Sequence, residues 1–202
     1  MVDAALIQQC ADPGLKPAIV EKFVERAGSQ DPLAVTVRSG NRVVLVPKPT
    51  TPDQAMDLIR QHVGRSIVRV GITQYPAGLG VVEAGELKPD LVDTCANLRM
   101  GTALFAKVYR IVTKWYGSAV DEAFEDAIIA WQTGYFEGTA VFRAPDPGNV
   151  AVAVPGSGQM LDQADEARPS SSERSGELET QIEDPNRASI RVDLSRIGGR
   201  EP

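Results

Sequence analysis

Between Pro17 and Ala27, the residues Val20, Phe23, Val24 and Ala27 recur at spacings of three, four and seven, while Glu21, Lys22, Glu25 and Arg26 fall on the other side. A helix with one apolar face and one charged face gives this pattern. Pro17 suits its first turn and Gly28 its end. Similar punctuation predicts four more helices. Asp3 is placed to cap a short one reaching Ala11, and Thr51-Pro52-Asp53 opens one from Pro52 to Val63. A long helix covers Leu91 to Tyr116 before Gly117, and another covers Ala119 to Thr133 before Gly134. Two apolar runs, Leu33 to Val37 and Arg42 to Val46, flank Ser39-Gly40-Asn41 and predict a β-hairpin. Ser66 to Ile72 is a β-branched run of strand or extended type. No internal repeat is present.

This patterning stops near Pro155. Beyond it come Gly156-Ser157-Gly158 and Pro169-Ser170-Ser171-Ser172, in a tail without an aromatic residue or a lysine and rich in Asp, Glu, Arg and Ser. Such a segment buries too little apolar surface to offset its chain entropy, so residues 155–202 are expected to be a flexible, disordered acidic tail behind a folded domain of residues 1–154. Within the tail, Ala188 to Leu194 alternates apolar and polar residues. It is either a strand that adds to a partner's sheet edge or part of a weakly structured tail.

Composition narrows the function classes. The chain has 202 residues, 43% of them hydrophobic, which suffices for one domain with a real core. Aromatic residues are 5%, so that core is expected to be aliphatic. The net charge of −6, with no Lys/Arg cluster along the chain, argues against sequence-independent binding of nucleic acid. The apolar runs fall far short of the roughly 20 residues a membrane-spanning helix needs. The opening Met1-Val2-Asp3-Ala4-Ala5-Leu6-Ile7-Gln8 has neither a basic start nor an apolar core, so it is not a signal peptide. It reads as cytoplasmic, or as periplasmic if another route exports it.

Cys10, Cys95 and His62 are the full set of cysteines and histidines. A zinc site needs three or four such ligands, so a Cys/His metal site is excluded on count, and no cofactor is called for. A Ser-His-Asp or Cys-His arrangement would require His62, which closes the Pro52–Val63 helix as a solvated end residue. Gly78-Leu79-Gly80 lacks the rest of any phosphate-binding pattern.

Four segments, taken in order, resemble the specialised lytic transglycosylases that accompany type IV secretion and conjugation machines. Gln9-Cys10-Ala11-Asp12-Pro13 stands where those enzymes carry Gln-Cys-Ala-Pro. Val68-Arg69-Val70-Gly71-Ile72-Thr73-Gln74-Tyr75-Pro76 follows their cleft strand without a gap. Asp93-Thr94-Cys95-Ala96-Asn97-Leu98-Arg99-Met100-Gly101 resembles their Asp-Pro-Cys-x-Asn-Leu-Arg-x-Gly, and Ala130-Trp131-Gln132-Thr133-Gly134-Tyr135-Phe136 their Ala-Tyr-Asn-Thr-Gly-x-Phe. The resemblance leaves the tail uncovered. Within that group the chain is most similar to the small TraH-type conjugal-transfer proteins of plasmids. It implies a lysozyme-like α+β domain, mainly helical with one small hairpin. It also implies a role in plasmid conjugal transfer, with peptidoglycan glycan strands or conjugation-machinery proteins as partners.

The chemistry that the resemblance implies needs one carboxylic acid in a desolvated cleft, to protonate the glycosidic oxygen and then act as base. The family places this glutamate in Glu-Ser-Gly-x-Asn-Pro. The ungapped counterpart is Ala27-Gly28-Ser29-Gln30-Asp31-Pro32, which sets Ala27 at the acid position. Glu25 lies two residues earlier, about 200° around the helix, and is expected to face solvent. Glu83, Glu86 and Glu137 are expected to be solvated loop acids. The family tyrosine is replaced by Trp131, whose indole donates but does not accept. It is open whether Trp131 walls a cleft or packs in the core. Gln74, Trp131, Gln132 and Tyr135 are the candidate substrate-binding residues, with Gln74 suited to an N-acetyl group and Gln132 expected to be tied to backbone.

The cysteines of the secreted relatives correspond to Cys10 and Cys95. Paired in an oxidising compartment, they would close a loop of about 85 residues, worth roughly 4 to 5 kcal/mol in the chain-entropy treatment; in a cytoplasmic protein they would stay reduced and pack as small apolar groups. Three readings follow. The chain is a binding component of conjugal transfer that has lost catalysis, an active lytic transglycosylase using Glu25 or a loop acid, or a cytoplasmic adaptor acting through its tail.

Overall fold

Capping side chains set where the helices begin. In a computed structural model of the protein, which describes residues 3–156, the Asp3 carboxylate accepts from the Ala5 N–H at 3.0 Å and opens α1 (Ala4–Cys10). Pro17 begins α2 (Pro17–Ala27). The Thr51 hydroxyl accepts from Gln54 N–H at 3.3 Å and opens α3 (Pro52–His62). The long helix α4 (Thr94–Tyr116) starts three residues later than its apolar pattern suggests. Pro89–Leu91 forms a separate 3-10 turn, and the Asp93 carboxylate accepts from Ala96 N–H at 2.8 Å to cap the helix proper. Helix α5 (Asp121–Thr133) completes the set.

The expected hairpin forms as β1 (Val35–Ser39) and β2 (Arg42–Val44), paired with Ser39 opposite Arg42. It is half of a larger sheet. The β-branched run supplies β3 (Ile67–Val70), antiparallel to β1, and a tight turn returns the chain as β4 (Tyr75–Pro76), for the order β2-β1-β3-β4. A second hairpin of β5 (Tyr135–Phe136) and β6 (Thr139–Ala140) follows α5. The described domain is thus α+β and mainly helical. No helix in it is long and apolar enough to cross a membrane.

Two clusters fill the interior. One is helical and joins α1, α2, α4 and α5. Its centre is aromatic: Phe23 stacks on Phe105 at 4.0 Å, and Tyr109, Phe124 and Trp131 meet these rings edge-on or offset. The expectation of an aliphatic core therefore fails here. The low aromatic fraction says how many rings the chain has, and the fold gathers most of them into one place. The second cluster lies between the sheet and α3, around Val37, Met56, Ile59, Val68 and Val70, and is aliphatic as expected. The Sγ atoms of Cys10 and Cys95 are bonded, joining α1 to the first turn of α4.

An extended segment after β6 is strapped across the helices. Lys107 Nζ donates to the Phe142 and Ala144 carbonyls at 2.9 and 3.1 Å, and the Tyr109 hydroxyl donates to the Ala153 carbonyl at 2.8 Å. Arg110 pairs with Asp146, its Nε 2.8 Å from Oδ1, and Lys22 donates to the Pro155 carbonyl. The acidic tail from residue 157 on, with its strand-like Ala188 to Leu194, lies outside the described residues.

Candidate functional site

The turn between β3 and β4 gathers segments that are far apart in sequence. Gly71 has φ of +72°, and a Cβ there would lie 2.5 Å from Asn97 Nδ2, so the position needs glycine twice over. Asn97, 1% exposed, fills that space. Its Nδ2 donates to the Val70 and Leu91 carbonyls at 3.0 and 2.9 Å, and its Oδ1 accepts from Thr73 N–H and Oγ1 at 3.1 and 2.9 Å. The Trp131 indole N–H donates to the Thr73 carbonyl at 3.1 Å. The Arg69 guanidinium donates to the carbonyls of Trp131, Gln132 and Gln74 at 2.6, 3.1 and 3.4 Å. Three of the four motif segments thus meet around Thr73 and Arg69, and the disulfide ties the fourth to them through Cys95.

The candidate residues separate in space. Trp131 is 1% exposed, with Phe23, Phe105 and Phe142 set edge-on around it at 5.1, 6.0 and 5.4 Å. A ring so enclosed has no face open to a ligand. Gln74 has a left-handed backbone (φ 52°), and its Nε2 donates back to the Gly71 carbonyl at 3.0 Å. Exposed Gln132 reaches the Arg26 carbonyl at 3.5 Å. Tyr135, 62% exposed, lies on the surface.

Ala27 is half-buried and packs on the helical cluster, while Glu25 is exposed among the charged residues of α2. Glu83, Glu86 and Glu137 are exposed. The Glu86 carboxylate accepts from the Val82 and Glu83 N–H groups at 2.7 and 3.2 Å, which holds its pKa below the ordinary carboxylate value. His62 is half-buried at the end of α3. Gly28 ends α2 for a reason other than a left-handed turn. Its φ is −93°, and a Cβ there would press on the Ile72 carbonyl and lie 2.7 Å from the Val24 carbonyl.

A groove of about 540 Å³ opens between the rim of the four-stranded sheet and the β5–β6 hairpin. Arg38, Arg65, Arg69 and Arg143 line it, together with Ile67, Leu79, Tyr135 and Phe142. No Asp or Glu is among its lining residues. None of the four arginines is ion-paired among the described residues. Arg69 is 7% exposed, with its guanidinium carbon 5.2 Å from the centre of the Phe142 ring and 5.7 Å from that of Trp131. Burial, reinforced by the like charge of Arg38, pulls its pKa down to about 10. It remains a cation at neutral pH, compensated by carbonyl dipoles and ring faces rather than by a carboxylate.

Of the four candidate cleft residues, only Tyr135 lines this groove. Gln74, Trp131 and Gln132 are brought together solely through their backbone carbonyls at Arg69. The arginines escape a sequence reading because positions 38, 65, 69 and 143 never form a run. Arg69 carries one weak signal: it is a charged residue inside an otherwise apolar, β-branched strand.

The TraH_2 family model matches residues 1–199. The uncharacterized protein y4dP of Sinorhizobium fredii (strain NBRC 101917 / NGR234) is 52% identical over 204 residues, covering 98% of this chain and 100% of that protein. No solved structure matches the chain.

Proposed function

The chain belongs to the TraH_2 family of TraH-type conjugal-transfer proteins, and from that premise we propose that it serves plasmid conjugation as a binding component rather than as a glycosidase. In this reading, residues 1–154 keep a lysozyme-like frame of the kind found beside type IV secretion machines, and residues 155–202 form an acidic appendage. The domain engages peptidoglycan strands or another transfer protein.

The loss of catalysis is inferred from the position that the resemblance assigns to the acid, which holds no carboxylate. Ala27 occupies the aligned position, Glu25 is exposed on the charged side of α2, and the groove is lined by cations. Glu25 thus lacks the desolvated cleft that this acid chemistry needs. The Cys10–Cys95 bond fits a protein that works in an oxidising compartment, where the cell wall is also found. The test is a cell-wall digestion with purified full-length protein. No release of anhydromuropeptides is expected. Release that disappears in Glu25→Gln overturns the reading.

A further inference from the structure

We propose that the arginine groove is a binding site for a short acidic peptide segment of a partner protein. The inference deepens the reading above by naming the chemistry of the partner, and it rests on that reading only for the claim that the domain works by binding.

The charge balance is the first argument. The whole chain is acidic at −6, yet four arginines from three separate stretches face one groove in which no acid lines the walls. Like charges converge at a cost, and no salt bridge among the described residues offsets it. The nearest anchors, the carbonyls of Gln74, Trp131 and Gln132, all serve Arg69. Those three acceptors take both Nη2 protons and one Nη1 proton, so buried Arg69 is a fixed positive charge in the groove wall rather than a free fork. The exposed guanidinium groups of Arg38, Arg65 and Arg143 are the ones that can meet a carboxylate with two parallel N–H groups.

The lining gives the second argument. Cationic Arg38, Arg65 and Arg143 are interleaved with apolar Ile67, Leu79 and Phe142, and exposed Tyr135 closes the rim. This mixture matches a peptide that carries carboxylates beside apolar side chains. It is a poor match for nucleic acid. Tyr135 is the one ring in the lining exposed enough to stack bases, where single-strand binding uses a row of them. The groove volume suits a ligand of a few residues, within the usual range of about 300–1,000 Å³ for small-ligand sites.

Titration of the full-length protein with a fluorescent octapeptide of alternating glutamate and leucine tests this. The companions are the same peptide with glutamine for glutamate, an oligothymidine of similar length, and a chitooligosaccharide. The expected result is salt-sensitive binding of the glutamate peptide alone. Affinity should fall about tenfold or more in Arg65→Glu and in Arg143→Glu. Both side chains are exposed, so both variants should fold, which an unchanged melting temperature verifies. Unchanged affinity in both variants, equal binding of the glutamine peptide, or tighter binding of the oligothymidine overturns the proposal. Chitooligosaccharide binding without peptide binding overturns it too, while leaving the broader reading intact. Wall digestion that depends on Glu25 would overturn the broader reading and leave the peptide result standing.

Discussion

The two interior clusters of this domain are built differently, and the difference explains where its candidate site lies. The helical cluster is wide and aromatic, and the Cys10–Cys95 bond crosses its edge. The sheet cluster is thin and aliphatic, packed under short strands, with Val43 and Leu45 of the outer strand region 61% and 94% exposed. The groove opens along the seam. The sheet side supplies Arg38, Arg65 and Arg69, while carbonyls at the end of α5 hold Arg69 in place. The rigid half thus positions a cation that the lighter half presents.

The largest expected contrast between the halves is in packing. Phe105→Ala removes the ring that touches Phe23, Tyr109, Phe124 and Trp131, and should cost about 3–5 kcal/mol. Ile59→Ala in the sheet cluster should cost about 2–3 kcal/mol, because thin surroundings collapse more readily into the space left. Urea unfolding of both variants measures the gap, and a larger loss at Ile59 would break the comparison.

The disulfide comes next. Cys10→Ser together with Cys95→Ser opens a loop with a sequence separation of 85 and should lower stability by up to about 4–5 kcal/mol. The lost stability should appear in the helical half, as faster amide exchange along α1. Faster exchange confined to β1 and β2 would contradict the account.

The smallest effect concerns the strap. Hydrogen bonding to Arg110 holds Asp146 down to about 2, below its ordinary 3.8. The pair therefore stabilises the fold above the ordinary carboxylate value, and that contribution fades as pH falls through about 2. The Asp146 side chain is 40% exposed, so solvent screening should keep the effect under about 1 kcal/mol. Asp146→Asn should be slightly less stable than the parent at neutral pH and equal to it in acid. A difference that grows as pH falls would show the sign to be wrong.

These contrasts also show what the sequence makes legible. The face of α2 could be read directly, since burial of Val20, Phe23 and Val24 against exposed Glu21 and Glu25 follows from helical spacing. So could the β1–β2 hairpin, because Gly40-Asn41 marks its turn. Strands of two residues such as β4, β5 and β6 leave no periodic trace, and only tertiary pairing creates them. The environment of Trp131 was open because a motif position does not say whether its neighbours cover it, and here three phenylalanines do. The groove was invisible for the same reason: its cations converge only after the sheet and α5 have packed.

The central claim is that this conjugal-transfer family member works by binding through a cationic groove and not by cutting glycans. Plasmid transfer from donors that lack the gene, complemented with Glu25→Gln or with the paired change Arg65→Glu and Arg143→Glu, tests it most directly. The account predicts transfer at the parental level with the first and severe loss with the second, at equal protein abundance. Loss with Glu25→Gln and full transfer with the reversed arginines would contradict it.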